Sequence, residues 1–584
     1  MSPAQIASRR TMRRMGSVSI IVAIVVIAFV VRLVDIQVVR AAELSAESAE
    51  RRSTTSTLWA ERGQILDRTY QALAENADRY HVTASPRHVA DFRRDGVTVS
   101  VMDALAEVEA ITGTPATEMW ASVSADPESN FAYLSKDATT EQYRQLLDLD
   151  IPWMYFERNA DRFYPFGSVA GNLTGMMGAD GPLEGVELKW DECLSASHGV
   201  LSYQQGADYV KLPGTTQVTT PAVNGGDVVL TIDSDLQWFV LQQLASTGQT
   251  IGAQSGIAMV VEVKTGEILA SADWPTFDPN DFANTPQSHL RAAAFTSAFE
   301  PGSTLKTVTM AALLEEGLTG TDEAFSVPAT YALPGGRYIR NAGGGAAGNL
   351  TSTGILSRSS NTGTAMLAER ISPKKLNSYF KAFGFGQPTD VDFLGEQAGY
   401  MQDPETIDPI TVHTQPFGQG MSATMAQMAG AYQAIANGGE KIPLRLVSGC
   451  QREDGTFEEA RKPAAKRVIS ERTADQVVAM LETVPRGGTL QYRVDVPGYR
   501  IAAKTGTAEI AENGVYTDER MISIAGMVPA EDPQFVVLVA LVKPQSNRFS
   551  YAAAPAFDEI VTHLVKHYRV APSTEEPTLP PITW

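Results

Sequence analysis

The chain has 584 residues, of which 43% are hydrophobic and 20% charged, and its formal net charge is −20. This composition is typical of a globular protein with about two to four domains, and it excludes a disordered chain. The acidic balance argues against nucleic acid as a partner, because a phosphate backbone is met by clustered lysine and arginine.

The N-terminus predicts a single membrane anchor. Residues 16–39 are almost uncharged, and the preceding segment, 1–15, holds four arginines. About 20 apolar residues in a helix cross a bilayer, and the arginines keep segment 1–15 in the cytoplasm. We therefore expect a single-pass protein of the cell membrane with its catalytic part outside the cytoplasm. A cleaved signal peptide stays an alternative because Val39 and Ala41 fit a cleavage site, although its apolar core would be shorter.

The next stretch, 40–220, predicts a mixed α+β domain. Apolar and polar residues alternate around turns in RGQILDRTYQALAENADRYHVTASP, which favours short strands, whereas 99–150 has mostly helical periodicity. A turn-rich segment then leads to a change of pattern near 215–225, where we place a domain boundary.

Residues 221–570 predict a second, larger domain of the α/β or α+β class. DVVLTI is a strand, Asp233 or Ser234 caps the helix that follows, and strands and long helices then mix along the segment. The last stretch, 571–584, is rich in proline and threonine and has no core pattern, so we expect a tail there.

Neither the cysteines nor the histidines predict a covalent framework or a metal site. Cys193 and Cys450 are too few for a disulfide framework and fall in different predicted domains. Two buried free thiols are therefore favoured over a bridge, which stays the alternative. His563 and His567 lie one helical turn apart without an HExxH motif, so we expect a solvated or half-buried pair and no metal.

The segment FEPGSTLKTVTMAALLEEGL, residues 299–318, carries the first candidate for chemistry. Pro301-Gly302 breaks the chain and a helix follows, with Ser303 at its start and Lys306 one turn later on the same face. A serine is a weak nucleophile until a neighbour takes its proton, and a lysine does so only when burial or another cation lowers its pKa. The helix start also directs free N–H groups at an oxyanion.

Two of the motif types occur twice, so neither type is specific by itself. S-x-x-K recurs at Ser372 and Lys375, where Ser372 is explained as an N-cap, Pro373 as the first helical residue and the lysine as solvated. Lys-Thr-Gly occurs first at 264–266, between two strand-like runs, where a hairpin turn explains it.

Two later motifs supply partners for Ser303. Ser359-Ser360-Asn361 opens another helical run, where a second hydroxyl can relay a proton and an amide can orient Lys306, with an ordinary helix cap as the alternative. Lys504-Thr505-Gly506, followed by Thr507, reads as a strand that offers a lysine charge, hydroxyls for a carboxylate and a backbone N–H for an oxyanion. Gly506 lets a substrate backbone approach closely.

The ordered set S-x-x-K, S-x-N and K-T-G resembles that of penicillin-binding proteins and related serine enzymes. With the anchor and the blocks RGQILDRTYQALAEN, GPLEGVELKWDECL and GDVVLTIDSDLQ, the chain resembles class B penicillin-binding proteins over nearly its whole length. The LEGVE pattern favours the septal, division-type members. The resemblance implies a penicillin-binding transpeptidase / serine β-lactamase-like fold of the α/β (α+β) class for 221–570, and a pedestal domain for 40–220.

The resemblance also implies a peptidoglycan D,D-transpeptidase. Ser303 would attack the penultimate D-Ala carbonyl of a stem peptide, with Lys306 as general base. Ser359 would pass a proton to the leaving amine, and Asn361 would position the substrate and Lys306. The backbone N–H groups of Ser303 and Thr507 would form the oxyanion hole. The residues that bind the substrate would be Lys504, Thr505, Gly506 and Thr507.

The implied partners are D-Ala-D-Ala stem peptides, β-lactams that acylate Ser303, a lipid-linked glycan polymerase and other division proteins, with no metal or organic cofactor. Two alternatives stay open. A D,D-carboxypeptidase or β-lactamase-type hydrolase would use the same trio with water as acceptor, but the anchor and pedestal disfavour it. A non-enzymatic β-lactam sensor or divisome scaffold is disfavoured because Lys306 and Lys504 are both intact.

Overall fold

The structure is a computed structural model that describes residues 3–206, 211–341, 346–512 and 515–584. The chain divides into two compact units, which are Met1–Glu61 with Ala196–Asn224, and Arg62–Ser195 with Gly225–Trp584. The second unit contains every candidate catalytic residue and most of the predicted pedestal.

The predicted anchor is a helix. α1 (Pro3–Val34) continues through a π-type turn, Asp35–Val39, into α2 (Ala41–Arg52), and β1 (Ser53–Leu58) follows. The span Met12–Val39 is 28 residues long, has a mean hydropathy of 2.9, and is not buried against the protein. About 20 such residues cross a bilayer. The segment is therefore long and apolar enough to span a membrane, as its composition predicts.

The middle of the chain folds into short strands and helices. Its strands are β2 (Ile65–Leu66), β3 (Ala72–Ala84), β4 (Phe92–Arg94), β5 (Val97–Val99), β6 (Ala132–Thr139), β7 (Met154–Phe163), β8 (Met177–Gly178), β9 (Gly181–Pro182), β10 (Gly199–Gln204) and β11 (Gln217–Thr220). Its helices are α3 (Val101–Thr112), α4 (Ala116–Ser124), α5 (Thr140–Leu147), α6 (Gly171–Thr174), α7 (Gly185–Lys189) and α8 (Asp191–Leu194). In the first unit, β1, β10 and β11 form an antiparallel sheet in that order.

The remaining chain alternates strands with longer helices. Its strands are β12 (Asp227–Leu230), β13 (Ser255–Glu262), β14 (Ile268–Trp274), β15 (Ala324–Val327), β16 (Thr330–Leu333), β17 (Arg337–Arg340), β18 (Gly348–Thr351), β19 (Glu440–Lys441), β20 (Val447–Gln451), β21 (Phe457–Glu459), β22 (Lys466–Arg467), β23 (Ala502–Glu512), β24 (Val515–Val528) and β25 (Phe535–Val542). Its helices are α9 (Ser234–Ile251), α10 (Ala293–Thr296), α11 (Lys306–Glu315), α12 (Ser352–Ser357), α13 (Asn361–Ala368), α14 (Pro373–Phe383), α15 (Thr411–Thr414), α16 (Met425–Ala436), α17 (Glu471–Gly487) and α18 (Ala554–His567).

A five-stranded antiparallel sheet forms the centre of this part, in the order β14-β13-β25-β24-β23. Along β13, Ile257 and Met259 belong to one buried cluster with α11 and α16, whereas Ala258 and Val260 belong to the other with α9 and α18. Successive side chains of a strand point to opposite faces. Helices therefore cover both faces of the sheet, and β23, which carries Lys504-Thr505-Gly506, lies at its edge.

A second sheet joins strands from both sides of residue 220. Its order is β21-β20-β12-β2-β3-β6, with β7 beside β3. Next to it, the fully buried carboxylate of Glu187 binds Arg62 at 2.9 Å and Arg162 at 2.7 Å. A buried carboxylate with two guanidinium partners is costly to break. These ion pairs tie Arg62, β7 and α7 together within the segment Arg62–Ser195, and the pairing of β2 with β12 joins that segment to the later part of the chain.

The expectation of two free thiols is wrong, because Cys193 and Cys450 form a disulfide with a Cα–Cα distance of 6.2 Å. Cys450 pairs with Val228 across β20 and β12, and the N–H of Gly226 donates to the carbonyl of Cys193 at 2.7 Å. These two contacts bring the end of α8 beside β20. The cysteines are separated by 257 residues, so only this packing, and no local pattern, indicates the pairing.

The duplicate motifs have the structural roles that the sequence predicts. Residues 264–266 form the turn between β13 and β14, with Gly266 at φ 71°. Ser372 is the N-cap of α14, and its hydroxyl accepts from the Lys375 N–H at 3.2 Å.

His567 lies 2.9 Å from a carboxylate oxygen of Asp233, and the described residues contain no group of three or more His, Cys, Asp or Glu suited to a metal.

Candidate active site

Ser303 lies in a single 3₁₀ turn, Gly302–Leu305, that leads directly into α11. Gly302 has φ 55°, and its N–H donates to the Gly418 carbonyl at 3.1 Å. A Cβ at Gly302 would lie 2.6 Å from the carbonyl oxygen of Thr507. Only glycine permits both the dihedral angle and this contact. The turn therefore places the half-buried Ser303 against β23 at the end of the Lys-Thr-Gly motif.

Lys306 is almost fully buried, with 1% of its surface exposed. Its Nζ donates to Asn361 Oδ1 at 2.6 Å, to the Ser359 carbonyl at 2.8 Å and to the Ser359 hydroxyl at 3.4 Å. It also lies 5.8 Å from the centre of the Phe417 ring. Within the described residues, no hydrogen bond joins Lys306 Nζ to the Ser303 hydroxyl. The two motifs S-x-x-K and S-x-N thus meet at the lysine amine.

Ser359 and Asn361 project from the junction between α12 and α13. Ser360 caps α13 by accepting from the Gly363 N–H at 3.1 Å, and Ser359 has φ 56°. A non-glycine residue in the left-handed region is strained and persists only where its surroundings hold it. Asn341 holds this junction, because its side-chain oxygen accepts from the Asn361 N–H at 2.7 Å. The cap explains Ser360, whereas the side-chain oxygens of Ser359 and Asn361 both accept from Lys306 Nζ.

Lys504 reaches the same hydroxyl from strand β23. It is fully buried, and its Nζ donates to Ser359 Oγ at 2.9 Å and to the Thr505 carbonyl at 2.8 Å. The Thr505 hydroxyl bonds the Thr489 hydroxyl at 2.9 Å. A Cβ at Gly506 would lie 2.3 Å from Ser523 Oγ, so glycine lets β23 pack tightly here. Two buried amines therefore converge on one serine hydroxyl.

Burial changes the acidity of both lysines. Burial lowers the pKa of Lys306 well below its usual value, and the positive charge of Lys504 lowers it further. Burial lowers the pKa of Lys504 to about 7. A charged ammonium is poorly solvated in such a site, and two adjacent ones repel each other. The lowered pKa favours the neutral amine of Lys306, which can accept a proton, while Lys504, partly charged near pH 7, suits an anionic group.

The structure brings the sequence-predicted site residues together in the second unit. The turn Gly302–Leu305, the Ser359–Asn361 junction and residues 504–507 form one cluster, whereas Ser372 and residues 264–266 lie in their separate helix cap and turn. Strand β23 has β24 on one side only in the sheet order. Its other edge is available to pair with an extended peptide, as edge strands do.

Several residues of the site have no motif that reveals them. Asn341 anchors Asn361, and Thr489 orients Thr505, yet each stands outside any sequence pattern. Glu300, which lies just before the turn Gly302–Leu305, accepts from the Gly420 N–H at 2.9 Å and from the Tyr516 hydroxyl at 2.8 Å. Glu300 lies three residues before Ser303, and this proximity is the only signal that could have drawn attention to it.

A cavity of about 490 Å³ lies beside the cluster rather than around Ser303. Its lining includes Phe299 and Glu300, which precede the turn Gly302–Leu305, and residues 508–511, which follow Thr507 on β23. The cavity thus borders the segment before Ser303 and the part of β23 after Thr507. The chemistry of the site rests on the convergence of side chains described above, since Ser303 and Lys306 are not part of this lining.

Comparison with known proteins agrees with this geometry. Residues 256–562 match the penicillin binding protein transpeptidase domain, and residues 57–230 match the penicillin-binding protein dimerisation domain. Penicillin-binding protein PbpB of Mycolicibacterium smegmatis is 33% identical over 601 residues, covering 98% of this chain and 92% of that protein. Peptidoglycan D,D-transpeptidase FtsI of Escherichia coli is 28% identical over 546 residues, covering 93% of this chain and 89% of that protein.

Solved structures share the fold across most of the chain. A peptidoglycan synthetase from Bifidobacterium adolescentis has a TM-score of 0.71 at 31% identity, covering 91% of this chain and 100% of that chain. Penicillin binding protein 3 from Mycobacterium tuberculosis, complexed with aztreonam, has a TM-score of 0.70 at 30% identity, with the same coverage of 91% and 100%.

Proposed function

The chain belongs to the class B penicillin-binding proteins, and we propose that it is a peptidoglycan D,D-transpeptidase of septal wall synthesis and a target of β-lactams. Relatives named peptidoglycan D,D-transpeptidase and a solved relative holding aztreonam support this function. The single observation that carries the chemistry is the convergence of two buried lysine amines on the Ser359 hydroxyl beside the Ser303 turn.

In the proposed acylation step, neutral Lys306 takes the proton of the Ser303 hydroxyl, and Ser303 Oγ attacks the penultimate D-Ala carbonyl. The backbone N–H groups of Ser303 and Thr507 stabilise the oxyanion. Burial supports Lys306 as the base, because it lowers the pKa of Lys306 and so favours the neutral amine that accepts a proton. The C–N bond then breaks, and the terminal D-Ala leaves with a proton passed through Ser359.

Substrate recognition is assigned to β23. Lys504, with Thr505 and Thr507, binds the terminal carboxylate, and Gly506 lets the substrate backbone lie close to the strand. Asn361 positions both the substrate and Lys306, which its side-chain oxygen contacts at 2.6 Å. The amine of a second stem peptide then attacks the acyl-enzyme, forms the cross-link and returns the proton to Ser303 by the reverse path.

We place the chain in the cell membrane with residues 16–39 as anchor and 1–15 in the cytoplasm. Residues 40–220 act as pedestal, 221–570 as transpeptidase domain and 571–584 as tail. The apolar helix supports the anchor. This orientation places the transpeptidase domain outside the cytoplasm, where peptidoglycan lies. The pedestal and anchor bind division proteins, including a lipid-linked glycan polymerase.

The proposal is tested by labelling the purified full chain in detergent with a fluorescent penicillin, with Ser303→Ala alongside. We expect a long-lived adduct that is lost in Ser303→Ala. Ser372→Ala is the matched control, because it alters the other S-x-x-K sequence and should leave labelling unchanged. Rapid hydrolysis of the penicillin adduct would favour a hydrolase. Absence of any adduct in the wild-type chain would favour a non-enzymatic scaffold.

A further inference from the structure

Building on the proposed acyl-transfer function, we propose that residues 571–584, here called the C-terminal strap, act as a positioning element for the reaction. The strap contacts the segment that leads into β23 and the segment that leads into the Ser359–Asn361 junction. It thereby links the Lys-Thr-Gly strand β23 to helix α12 and holds Ser359 and Asn361 where Lys306 meets them.

The first anchor of the strap is Ser573. Its N–H donates to the Gly498 carbonyl at 2.8 Å, and its hydroxyl accepts from the Arg500 N–H at 3.0 Å. Arg500 stands two residues before the start of β23 and four before Lys504. The first anchor is therefore made on the backbone that enters the Lys-Thr-Gly strand.

The second anchor is at the end of the strap. The Thr351 N–H donates to the Ile582 carbonyl at 3.1 Å, and the Thr351 hydroxyl donates to the Pro581 carbonyl. Thr583 pairs with Leu350 in antiparallel fashion, next to the two-stranded sheet of β15 and β18. The Trp584 indole N–H donates to the Phe325 carbonyl at 3.0 Å. The strap thus extends this small sheet by main-chain bonds.

The second anchor controls the start of α12. Thr351 is the N-cap of this helix, and its hydroxyl accepts from the Gly354 N–H at 2.9 Å. A Cβ at Gly354 would lie only 1.9 Å from the Ile582 carbonyl oxygen, so the strap lies directly on the helix backbone. Helix α12 ends at Ser357, two residues before the strained Ser359. Since strain at Ser359 must be held by its surroundings, the strap contributes to that support.

The chain between the two anchors has the composition of a stiff, extended connection. Eight positions separate Ser573 from Pro581, and Pro577 and Pro580 lie within this stretch. Proline-rich chain is extended at about 3.1 Å per residue and semi-rigid, so this stretch reaches about 25 Å. A stiff, extended connection loses less conformational entropy on docking than a flexible one. The composition that suggests a structureless tail is thus well suited to a strap.

The test is a double-mutant cycle on the full chain in detergent, between Gly354→Ala and deletion of 580–584. The rate of acylation by a fluorescent penicillin is measured across pH, together with the melting temperature. Gly354→Ala adds only a methyl group to a helix, and in the intact chain that group collides with the strap. Gly430→Ala is the matched control, because its Cβ would meet nothing closer than 3.7 Å.

We expect the deletion to slow acylation at least tenfold and to move the acid limb of the pH profile to higher pH. The shift is expected because Lys306 loses its fixed contacts with Ser359 and Asn361. Water then reaches its amine, and the pKa of Lys306 rises toward its usual value. Gly354→Ala should act similarly in the intact chain and have no further effect after the deletion, and Gly430→Ala should change the rate less than twofold.

Two results would overturn the inference. One is wild-type acylation, with the acid limb of the pH profile at the same pH, in the chain that lacks 580–584. Even with a lower melting temperature, that result would mean that the strap contributes only to stability. The other is a Gly354→Ala effect of equal size in the intact and deleted chains. Failure of the intact wild-type chain to label at all would instead refute the transpeptidase assignment on which the inference rests.

Discussion

Replacing Lys504 by glutamine is expected to raise the pKa of Lys306. Burial is the larger cause of the low pKa of Lys306, and the charge of Lys504 is the second. Both Nζ atoms lie within 3.4 Å of Ser359 Oγ, so they are less than about 7 Å apart. At about 6 Å and an effective dielectric constant of ~20, the repulsion of two unit charges is about 3 kcal/mol. This energy corresponds to about two pKa units.

The expected shift is smaller than that limit, about one to two pH units, because Lys504 has a pKa of about 7 and is only partly charged near neutrality. Lys306 must be neutral to take the Ser303 proton, so the acid limb of the acylation rate follows its pKa. Removing the neighbouring charge makes protonated Lys306 more favourable. The limb therefore moves to higher pH, and acylation at neutral pH falls.

The measurement is the second-order rate of penicillin acylation as a function of pH, for the full wild-type chain and for Lys504→Gln. Glutamine also weakens binding of the substrate carboxylate, but that loss lowers the whole curve without moving the limb. Thr505→Val is the control, because it removes a side-chain hydroxyl assigned to binding the substrate carboxylate but changes no charge of the protein. An acid limb at the same pH in Lys504→Gln and wild type would refute the electrostatic coupling.

Three further changes test other parts of the structure. Gly302→Ala should reduce acylation at least a hundredfold, because its Cβ would lie 2.6 Å from a β23 carbonyl oxygen; Gly317→Ala, also at positive φ but in open space, should keep its labelling rate. The double variant Cys193→Ser with Cys450→Ser should lose about 2–5 kcal/mol of stability. Its melting temperature should be the same with and without reductant, whereas reductant should lower that of the wild-type chain. A wild-type melting temperature that reductant does not change would contradict the disulfide. Glu187→Gln should lose about 3–5 kcal/mol in urea unfolding, because it leaves buried guanidinium groups unpaired; a loss below about 1 kcal/mol, the value of an exposed pair, would contradict that account.

Features set by neighbouring residues followed from the sequence. The apolar helix needs only the run of residues 16–39, and the N-cap at Ser372 needs only a serine before Pro373 and a helical pattern. The turn at 264–266 needs a glycine between two strand-like runs. Each of these is decided within one continuous stretch of the chain, where local composition, hydrogen bonds and dihedral preferences dominate.

The sequence therefore identified the candidate nucleophile, the two lysines and the candidate substrate strand, because the three motifs follow one another in a single order along the chain, each in a suitable local context. Tertiary structure alone decided which partners these groups have. It directs Lys306 to Ser359 and Asn361, buries Lys504 beside it, pairs Cys193 with Cys450, and lays the proline-rich strap on α12. These contacts join residues far apart in the chain, and their energies depend on burial and distance, which no local pattern encodes.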